Sequence, residues 1–411
     1  MKINNYPAAL TVSLFFLVTL PISLAAQSSL TMDSTAGIFS NDIDAFMDPN
    51  DWDTIEFNSY FLAFRHSTIA DAPLAVGFAS NLGTLYTGLY YSGNITEYRN
   101  DNPGTTVYTS VNNLALLLGS PSFGGIKLGL DLDIRKMADK QNIYTVSGGW
   151  GKNFELNNGT TLKPEVNASY MFPSTGKIDF GRFGGDLPFD AIPVIFSILS
   201  NYSIKNAFSG SIETDWVLEP KGTTERMWTL GYGLSTAIVE REPRSGTITK
   251  SRLYNHFAWA KYKQIYNLSE KFSAGFSAGA AFDFLKVTEK YTYMGITMYG
   301  FVEITNEISI STYTFIPEAS AAFTYKFDTP FSVNAGLDLT YPITRFNYSN
   351  SLTAGLPGFS VLEITYDGIN AAATAGGSFE PYPGLAIDFS WTGGYYEVDM
   401  GVITLAVRIR K

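Results

Sequence analysis

Apolar and polar side chains alternate along most of the chain, and turn-forming residues interrupt the alternation about every ten positions. The clearest case runs from Gly125 to Arg135, where five aliphatic residues share one face and charged residues or glycine occupy the other. Side chains of a β-strand point alternately to opposite faces, so this pattern predicts a strand with one apolar and one polar face. Similar alternation from Phe272 to Phe284 and from Phe331 to Tyr341 predicts further strands.

The length and number of these segments favour one class of all-β fold. Sixteen candidate strands lie between Thr54 and Arg410, and fourteen is equally consistent if short early strands are misassigned. Several exceed ten residues, as membrane-crossing strands of about nine to eleven residues do, whereas sandwich strands average about five or six. The pattern predicts a transmembrane antiparallel up-and-down β-barrel of 14–16 strands, with both ends on the periplasmic side. Alternation alone leaves a soluble β-sandwich open.

The spacing of the turns supports the barrel. Short connections, such as Asn267–Lys271 and Asp328–Pro330, alternate with long ones, such as Val287–Tyr313 and Pro342–Tyr366. Short turns on one rim and long loops on the other are typical of outer-membrane barrels.

The N-terminus has two parts of different character. Residues 1–26 contain Lys2, an apolar stretch from Ala8 to Leu20 and small residues before Gln27, which is typical of a secretory signal. Residues 27–53 carry acidic but no basic side chains, and apolar residues spaced by three and four predict a short helix. This segment is either an acidic periplasmic tail or a plug inside a barrel of residues 54–411. The candidate gating residues of a plug are Phe39, Ile43, Phe46 and Met47.

Composition excludes several functions. The 411 residues include 28 basic and 38 acidic side chains, a net charge of −10, which argues against a nucleic-acid partner. No cysteine is present, so disulfides, thiol catalysis and cysteine-ligated metals are excluded. We expect no cofactor, and no metal at the acidic cluster Asp42–Asp51, where the glycine of a calcium loop is missing. We also expect no enzymatic activity, because His66 and His256 are the only histidines.

One long connection, Pro173–Tyr202, contains an unusually apolar stretch, Asp190–Ser200. Apolar residues on an aqueous rim are either packed under other loops or exposed to bind something hydrophobic. The candidate ligand-binding residues are Phe183, Ile192, Val194, Ile195, Phe196, Ile198 and Leu199. The candidate lumen charges are Lys127, Asp131, Asp133, Arg135, Lys163, Glu165, Glu213, Asp215, Asp338 and Asp388.

The chain resembles outer-membrane β-barrels and, more narrowly, FadL-type transporters of long-chain fatty acids and other hydrophobic compounds. The resemblance rests on overall size, on the segment 27–53 ahead of the barrel and on the apolar stretch Asp190–Ser200. It implies a fourteen-stranded barrel plugged by an N-terminal hatch, with hydrophobic outer loops that make the first ligand contact.

Together these observations predict an exported protein of the cell outer membrane that takes up small hydrophobic molecules passively. A water-filled porin and a surface or adhesion barrel with ligand-binding outer loops are the alternatives. The expected partners are outer-membrane lipid, a small hydrophobic ligand and the barrel assembly machinery.

Overall fold

The computed structural model of the chain describes residues 49–50, 59–66, 71–99, 106–136, 140–156, 159–173, 178–179, 202–241, 249–297, 300–352, 362–394 and 402–410. These residues form twenty strands in one antiparallel sheet. The first ten are β1 Ser59–His66, β2 Asp71–Asn81, β3 Tyr86–Arg99, β4 Thr106–Ser120, β5 Gly124–Lys136, β6 Lys140–Gly151, β7 Phe154–Glu155, β8 Thr161–Pro173, β9 Ile178–Asp179 and β10 Tyr202–Lys221. The others are β11 Thr224–Arg241, β12 Thr249–Asn267, β13 Phe272–Thr297, β14 Gly300–Lys326, β15 Phe331–Thr340, β16 Ile343–Leu352, β17 Leu362–Asp367, β18 Asn370–Tyr382, β19 Leu385–Gly394 and β20 Val402–Arg410.

The sheet closes on itself, because β20 pairs with β1 from Ser59↔Arg410 to His66↔Ile403. Two of the twenty elements, β7 and β9, are two-residue additions beside longer strands. β15 and β16 both pair with β14 and form one interrupted strand, and β17 and β18 form the next. Sixteen strands therefore surround the barrel within the described part of the chain, which confirms the predicted fold class and selects the upper strand count.

The two rims differ. One, the turn rim, carries the connections 82–85, 121–123, 152–160, 222–223, 268–271, 327–330 and 383–384. β1 begins and β20 ends at this rim, as an even strand number requires. The opposite rim, which we call the loop rim, is where β8 ends at Pro173 and β10 begins at Tyr202.

The loop rim departs from the sequence prediction at one place. Val287–Tyr313 was predicted to be a long loop, but β13 and β14 pair continuously from Phe272↔Tyr325 to Thr297↔Gly300. Pairing of β12 with β13 stops at Thr288, so nine further residues of β13, roughly 30 Å at about 3.4 Å per residue, continue past the last position paired with β12. We call residues 285–312 the tall hairpin. Pro342–Tyr366 was likewise predicted to be a loop and instead contains β16 and most of β17.

The outer face is that of a membrane-spanning barrel. Its aliphatic and aromatic side chains are exposed, because one face of each strand points away from the barrel. Near the turn rim Trp228, Tyr262 and Phe276 contact one another across β11–β13. Nearer the loop rim His256 and Phe284 lie side by side on β12 and β13. Eight residues separate Phe276 from Phe284, about 26 Å along the strand, which at a tilt of about 40° is about 20 Å of height and fits within an apolar band of about 25 Å.

No α-helix in the described ranges is long and apolar enough to cross a membrane.

Candidate functional site in the barrel lumen

Two residues of the N-terminal segment lie inside the barrel. Pro49 is fully buried, and Asn50 is 4% exposed. The backbone oxygen of Asn50 accepts a hydrogen bond of 2.8 Å from Asn153 Nδ2, and its side-chain Nδ2 lies 3.5 Å from Glu165 Oε2. Residues 49–50 therefore occupy the lumen near the turn rim, against β6 and β8.

Glycine makes room for them on the inner face of β6. A Cβ atom built on Gly151 would lie 2.6 Å from Asn50 Oδ1 and 2.9 Å from its backbone nitrogen. A Cβ atom built on Gly149 would lie 3.5 Å from Pro49 Cγ. The alternation of β6 places both glycines inward and Val146 and Trp150 outward. Any side chain at position 151 would compete with Asn50 for the same space.

A cavity of about 350 Å³ lies beside this contact. Small and polar residues of β6, β8 and β10 form most of its wall, and two aromatic rings of β12 form its opposite border. It is lined by Lys127, Ser147, Gly148, Gly149, Glu165, Asn167, Ala168, Ser169, Ser209, Gly210, Ser211, Phe257 and Trp259.

The two rings reach the cavity because the neighbouring strand lacks side chains there. Phe257 and Trp259 stack with ring centroids 4.9 Å apart and an angle of 8° between their planes. A Cβ atom on Gly231 or Gly233 of β11 would overlap these rings. Trp259 thus leans across β11, and its Nε1 donates a 2.6 Å hydrogen bond to Glu213 Oε2 on β10.

A row of polar side chains crosses five strands at one height. Directly paired inward positions place Ser147, Ser169, Ser209, Ser235 and Asn255 side by side. The Ser169 and Ser209 hydroxyls lie 2.6 Å apart, and one donates to the other. At the end of the row, Ser235 Oγ is buried without a hydrogen-bond partner among the described residues, and the buried Asn255 amide interacts with the Asp283 carboxyl on β13. We call these five residues the hydroxyl row.

Beyond Asn255, on the next strands and towards the loop rim, the inner face becomes apolar. Leu285, Val287, Ile308, Ile310 and Phe346 are each no more than 5% exposed. The register places Leu285 and Phe346 on either side of Thr312, and Ile310 opposite Val287. These five residues form an apolar patch on the inside of the tall hairpin and the adjoining β16.

Charged side chains line the inner wall, as the alternation predicted. The pairing registers of β5, β8, β10, β15 and β19 place eight of the ten candidate lumen charges on inward faces, and the side chains of the other two, Asp133 and Arg135, lie outside the described ones. Asp388 accepts two hydrogen bonds from the guanidinium of Arg408 on β20. Lys261 Nζ lies 3.4 Å from Glu318 Oε1, across the space that Gly279 leaves between them.

The structure leaves two sets of candidate residues untested. The candidate ligand-binding residues Phe183, Ile192, Val194, Ile195, Phe196, Ile198 and Leu199 lie outside the described residues, as do the candidate gating residues Phe39, Ile43, Phe46 and Met47. Both sets stay predictions.

His256 is on the outer face of the barrel. Its Nδ1 lies 2.7 Å from the hydroxyl of Tyr232, and its ring stacks on Phe284 within the girdle. The described residues contain no group of three histidine or acidic side chains that could hold a metal ion.

Sequence analysis missed the aromatic pair, the hydroxyl row and the apolar patch. Phe257 and Trp259 do break the alternation of β12, because bulky rings occupy its inward positions where neighbouring strands carry Gly or Ser. That interruption was the available signal. The apolar patch was hidden because the tall hairpin was taken for a loop.

No family model matches the chain, and no curated protein matches it. Its fold is similar to solved outer-membrane barrels. The Pseudomonas putida toluene transporter TodX is 11% identical with a TM-score of 0.38, covering 93% of this chain and 96% of that one. Vibrio cholerae OmpT is 10% identical with a TM-score of 0.38, covering 86% and 98%. The Pseudomonas aeruginosa pyoverdine receptor FpvA is 7% identical with a TM-score of 0.37, covering 87% and 79%.

FadL-type structures, TodX among them, thus stand beside other outer-membrane barrels in this comparison. The fold assignment given above rests on strand register and on the distribution of apolar side chains.

Proposed function

We propose that this protein is a gated outer-membrane channel for passive uptake of small, largely hydrophobic molecules. A molecule would be captured by the apolar stretch Asp190–Ser200, pass the apolar patch and enter the lumen beside the aromatic pair. The N-terminal segment 27–53 would close the lumen at the turn rim, which faces the periplasm.

The observation that carries the proposal is the position of Pro49 and Asn50. A periplasmic tail would leave these residues in water, whereas Pro49 is fully buried and Asn50 bonds to a residue of the barrel. The inner wall of β6 has glycine where the contact is made. For residues 49–50, this contact favours a plug over a periplasmic tail.

Burial of large inward side chains supports a closed lumen. Tyr90 and Leu117 point inward on β3 and β4, and neither is exposed at all. In an open aqueous channel, side chains of this size on the wall would contact water. Their burial therefore supports a lumen that is filled at this level, as a plugged transporter requires.

Conductance across a planar bilayer tests the gate. We expect the full mature chain to be silent and a chain lacking residues 27–53 to conduct in steady steps, since the sheet closes without this segment. Equal conductance of the two chains would overturn the gate and favour a porin.

Uptake of a hydrophobic substrate by cells tests the capture step. Replacing Ile195, Phe196 and Leu199 together with Ser should lower uptake, because the apolar surface would be lost. Replacing three exposed residues of the tall hairpin and β16, Phe301, Glu307 and Arg345, with Ser is the matched control. Unchanged uptake by the Ile195, Phe196 and Leu199 variant would contradict capture at this stretch.

A water-filled porin is the second candidate, and the strand number favours it. Barrels of sixteen strands are wide enough for an aqueous channel, and the wall around the cavity is polar. A porin would conduct without removal of the N-terminal segment, so the same bilayer measurement separates the two functions.

A further inference from the structure

We propose that the lumen cavity is a binding site for an uncharged ring compound that carries hydroxyl groups. The proposal rests on the proposed function in that it names the class of molecule the lumen selects, but its test needs no transport. It follows from the juxtaposition of the aromatic pair with the hydroxyl row.

The aromatic pair supplies a contact surface for a ring. Phe257 and Trp259 are only partly buried although they lie inside the barrel, and both border the cavity. Their mutual stacking and the hydrogen bond from Trp259 to Glu213 hold them in place before a ligand arrives. Binding of a ring therefore loses little conformational entropy of these two side chains. Aromatic contacts contribute about 0.5–1.5 kcal/mol beyond buried area.

The hydroxyl row supplies polar contacts. Ser147, Ser169 and Ser209 line the cavity, and Ser235 and Asn255 continue the row on the next two strands. Ser235 and Asn255 are each 1% exposed and lie behind the cavity wall. The hydroxyl groups that a ligand can reach are therefore those of Ser147, Ser169 and Ser209, which can donate and accept hydrogen bonds.

The charges around the cavity favour a neutral ligand over an anionic one. Lys127 is its one basic lining residue, and Glu165 also lines it. Glu213, which the Trp259 indole contacts, adds a second carboxylate beside the rings. An anion would meet two like charges in a confined space, whereas a neutral hydroxyl group donates to a carboxylate or a serine at no such cost.

The size of the cavity is consistent with a single ring. At about 350 Å³ it lies at the lower end of the range of small-molecule sites, about 300–1,000 Å³. A long acyl chain would extend beyond it into the polar wall. A phenol and a pyranose are both uncharged rings that carry hydroxyl groups, and the experiment distinguishes these two classes of ligand.

Fluorine NMR of the full mature chain in detergent tests the proposal with 4-fluorophenol, fluorobenzene and 2-deoxy-2-fluoroglucose as probes. One net hydrogen bond corresponds to about a tenfold change in affinity. We therefore expect 4-fluorophenol to bind about tenfold more tightly than fluorobenzene after each is corrected for partition into empty micelles. Binding of the fluorinated sugar as well would identify pyranoses as a second source, and its absence would restrict the site to phenols. Equal binding of 4-fluorophenol and fluorobenzene would overturn the proposal.

Variants locate the site. Ser147→Ala combined with Ser209→Ala should weaken 4-fluorophenol five- to tenfold and leave fluorobenzene unchanged, because both serines line the cavity. Ser277→Ala is the matched control, because Ser277 is also an inward, buried serine but does not line the cavity. Equal loss in the control would contradict the assigned site.

The ring contact has its own test. Phe257→Leu, which keeps an apolar side chain of similar size, should weaken all ring probes severalfold. Trp228→Ala, on the lipid face of the neighbouring strand, should leave them unchanged. Because binding is measured without a membrane gradient, a silent channel that still binds 4-fluorophenol would reject the proposed transport and retain this site.

Discussion

Two parts of the inner wall fill the lumen by different means. On β5, β6, β8 and β10 the inward positions near the cavity are mostly Gly and Ser. Pro49 and Asn50 occupy part of the space that these small residues leave, and the cavity is the rest of it. We call this the small-residue wall. On β12 and β14, and towards the loop rim on β13 and β16, the inward positions carry Phe257, Trp259, an ion pair and the apolar patch. We call this the bulky wall.

Within one closed sheet, the size of the inward side chains determines which part of the lumen another group can occupy. Backbone pairing is continuous across both walls, so the barrel closes whatever its inward residues are. Small residues leave space that another segment or a ligand can occupy, whereas bulky residues occupy it themselves. The small-residue wall is thus the part where occupancy can change, and the bulky wall is the part where it is fixed.

The largest expected effect comes from filling the small-residue wall. Gly151→Leu should displace Asn50, because even a Cβ atom there lies within 2.6 Å of Asn50 Oδ1. In a planar bilayer we expect the unmodified mature chain to be silent and the Gly151→Leu variant to conduct in steady steps. Gly148→Leu on the lipid face of the same strand is the control, since a Cβ there has no neighbour closer than 3.9 Å. A silent Gly151→Leu variant would show that this contact does not close the lumen.

Truncating the bulky wall should cost stability instead of opening a gate. Phe346→Ala removes a 3% exposed ring from the apolar patch, and we expect a loss of about 3–5 kcal/mol in unfolding free energy. Phe301→Ala, at a 75% exposed position of the tall hairpin, should change it by less than about 0.5 kcal/mol. Urea unfolding in lipid measures both, and similar losses would mean that the patch is not packed.

Ion pairs give a third contrast, between the lumen and the outer surface. Asp388→Ala removes the carboxylate that Arg408 contacts inside the barrel, beside the strand that closes it. The two side chains are 12% and 19% exposed, so we expect a loss of roughly 2–3 kcal/mol, below the value for a fully buried pair. Glu363→Ala, whose Arg345 partner is more than half exposed, should cost less than about 1 kcal/mol. Thermal unfolding monitored by loss of the compact gel band separates the two.

The smallest expected effect concerns ion preference. Glu318→Gln leaves Lys261 without its ion-pair partner in the lumen and should move the reversal potential of an opened channel slightly towards anions. The measurement uses the Gly151→Leu background. Glu270→Gln, in an exposed turn, is the control and should leave the potential unchanged. An unchanged potential in both variants would place Lys261 and Glu318 away from the conducting path.

The barrel was predictable from sequence because alternation is local. Which residues from Gly125 to Arg135 share a face, for example, follows from the identities of eleven successive residues and nothing else. The position of each strand end was less predictable, since β13 continues past Lys286 through polar residues whose pairing depends on β14. Two strands that support each other in this way look like a loop when each is considered alone.

The lumen was predictable only in its polarity. Inward acidic and basic residues follow from the alternation, and the structure places them where expected. The contact between Gly151 and Asn50 joins residues a hundred positions apart, and the stacking of Trp259 over Gly231 depends on cross-strand register. Neither is encoded in any local pattern.

A switchable cross-link tests the central claim that residues near Asn50 close the lumen by packing on β6. The chain has no cysteine, so Asn50→Cys with Gly151→Cys introduces a single pair. Asn50 Cγ lies 2.8 Å from the Cβ position of residue 151, close enough for a disulfide. We predict that the oxidised protein contains the cross-link and is silent in a planar bilayer, and that reduction makes it conduct. Failure to form the cross-link, or equal conductance before and after reduction, would contradict the account.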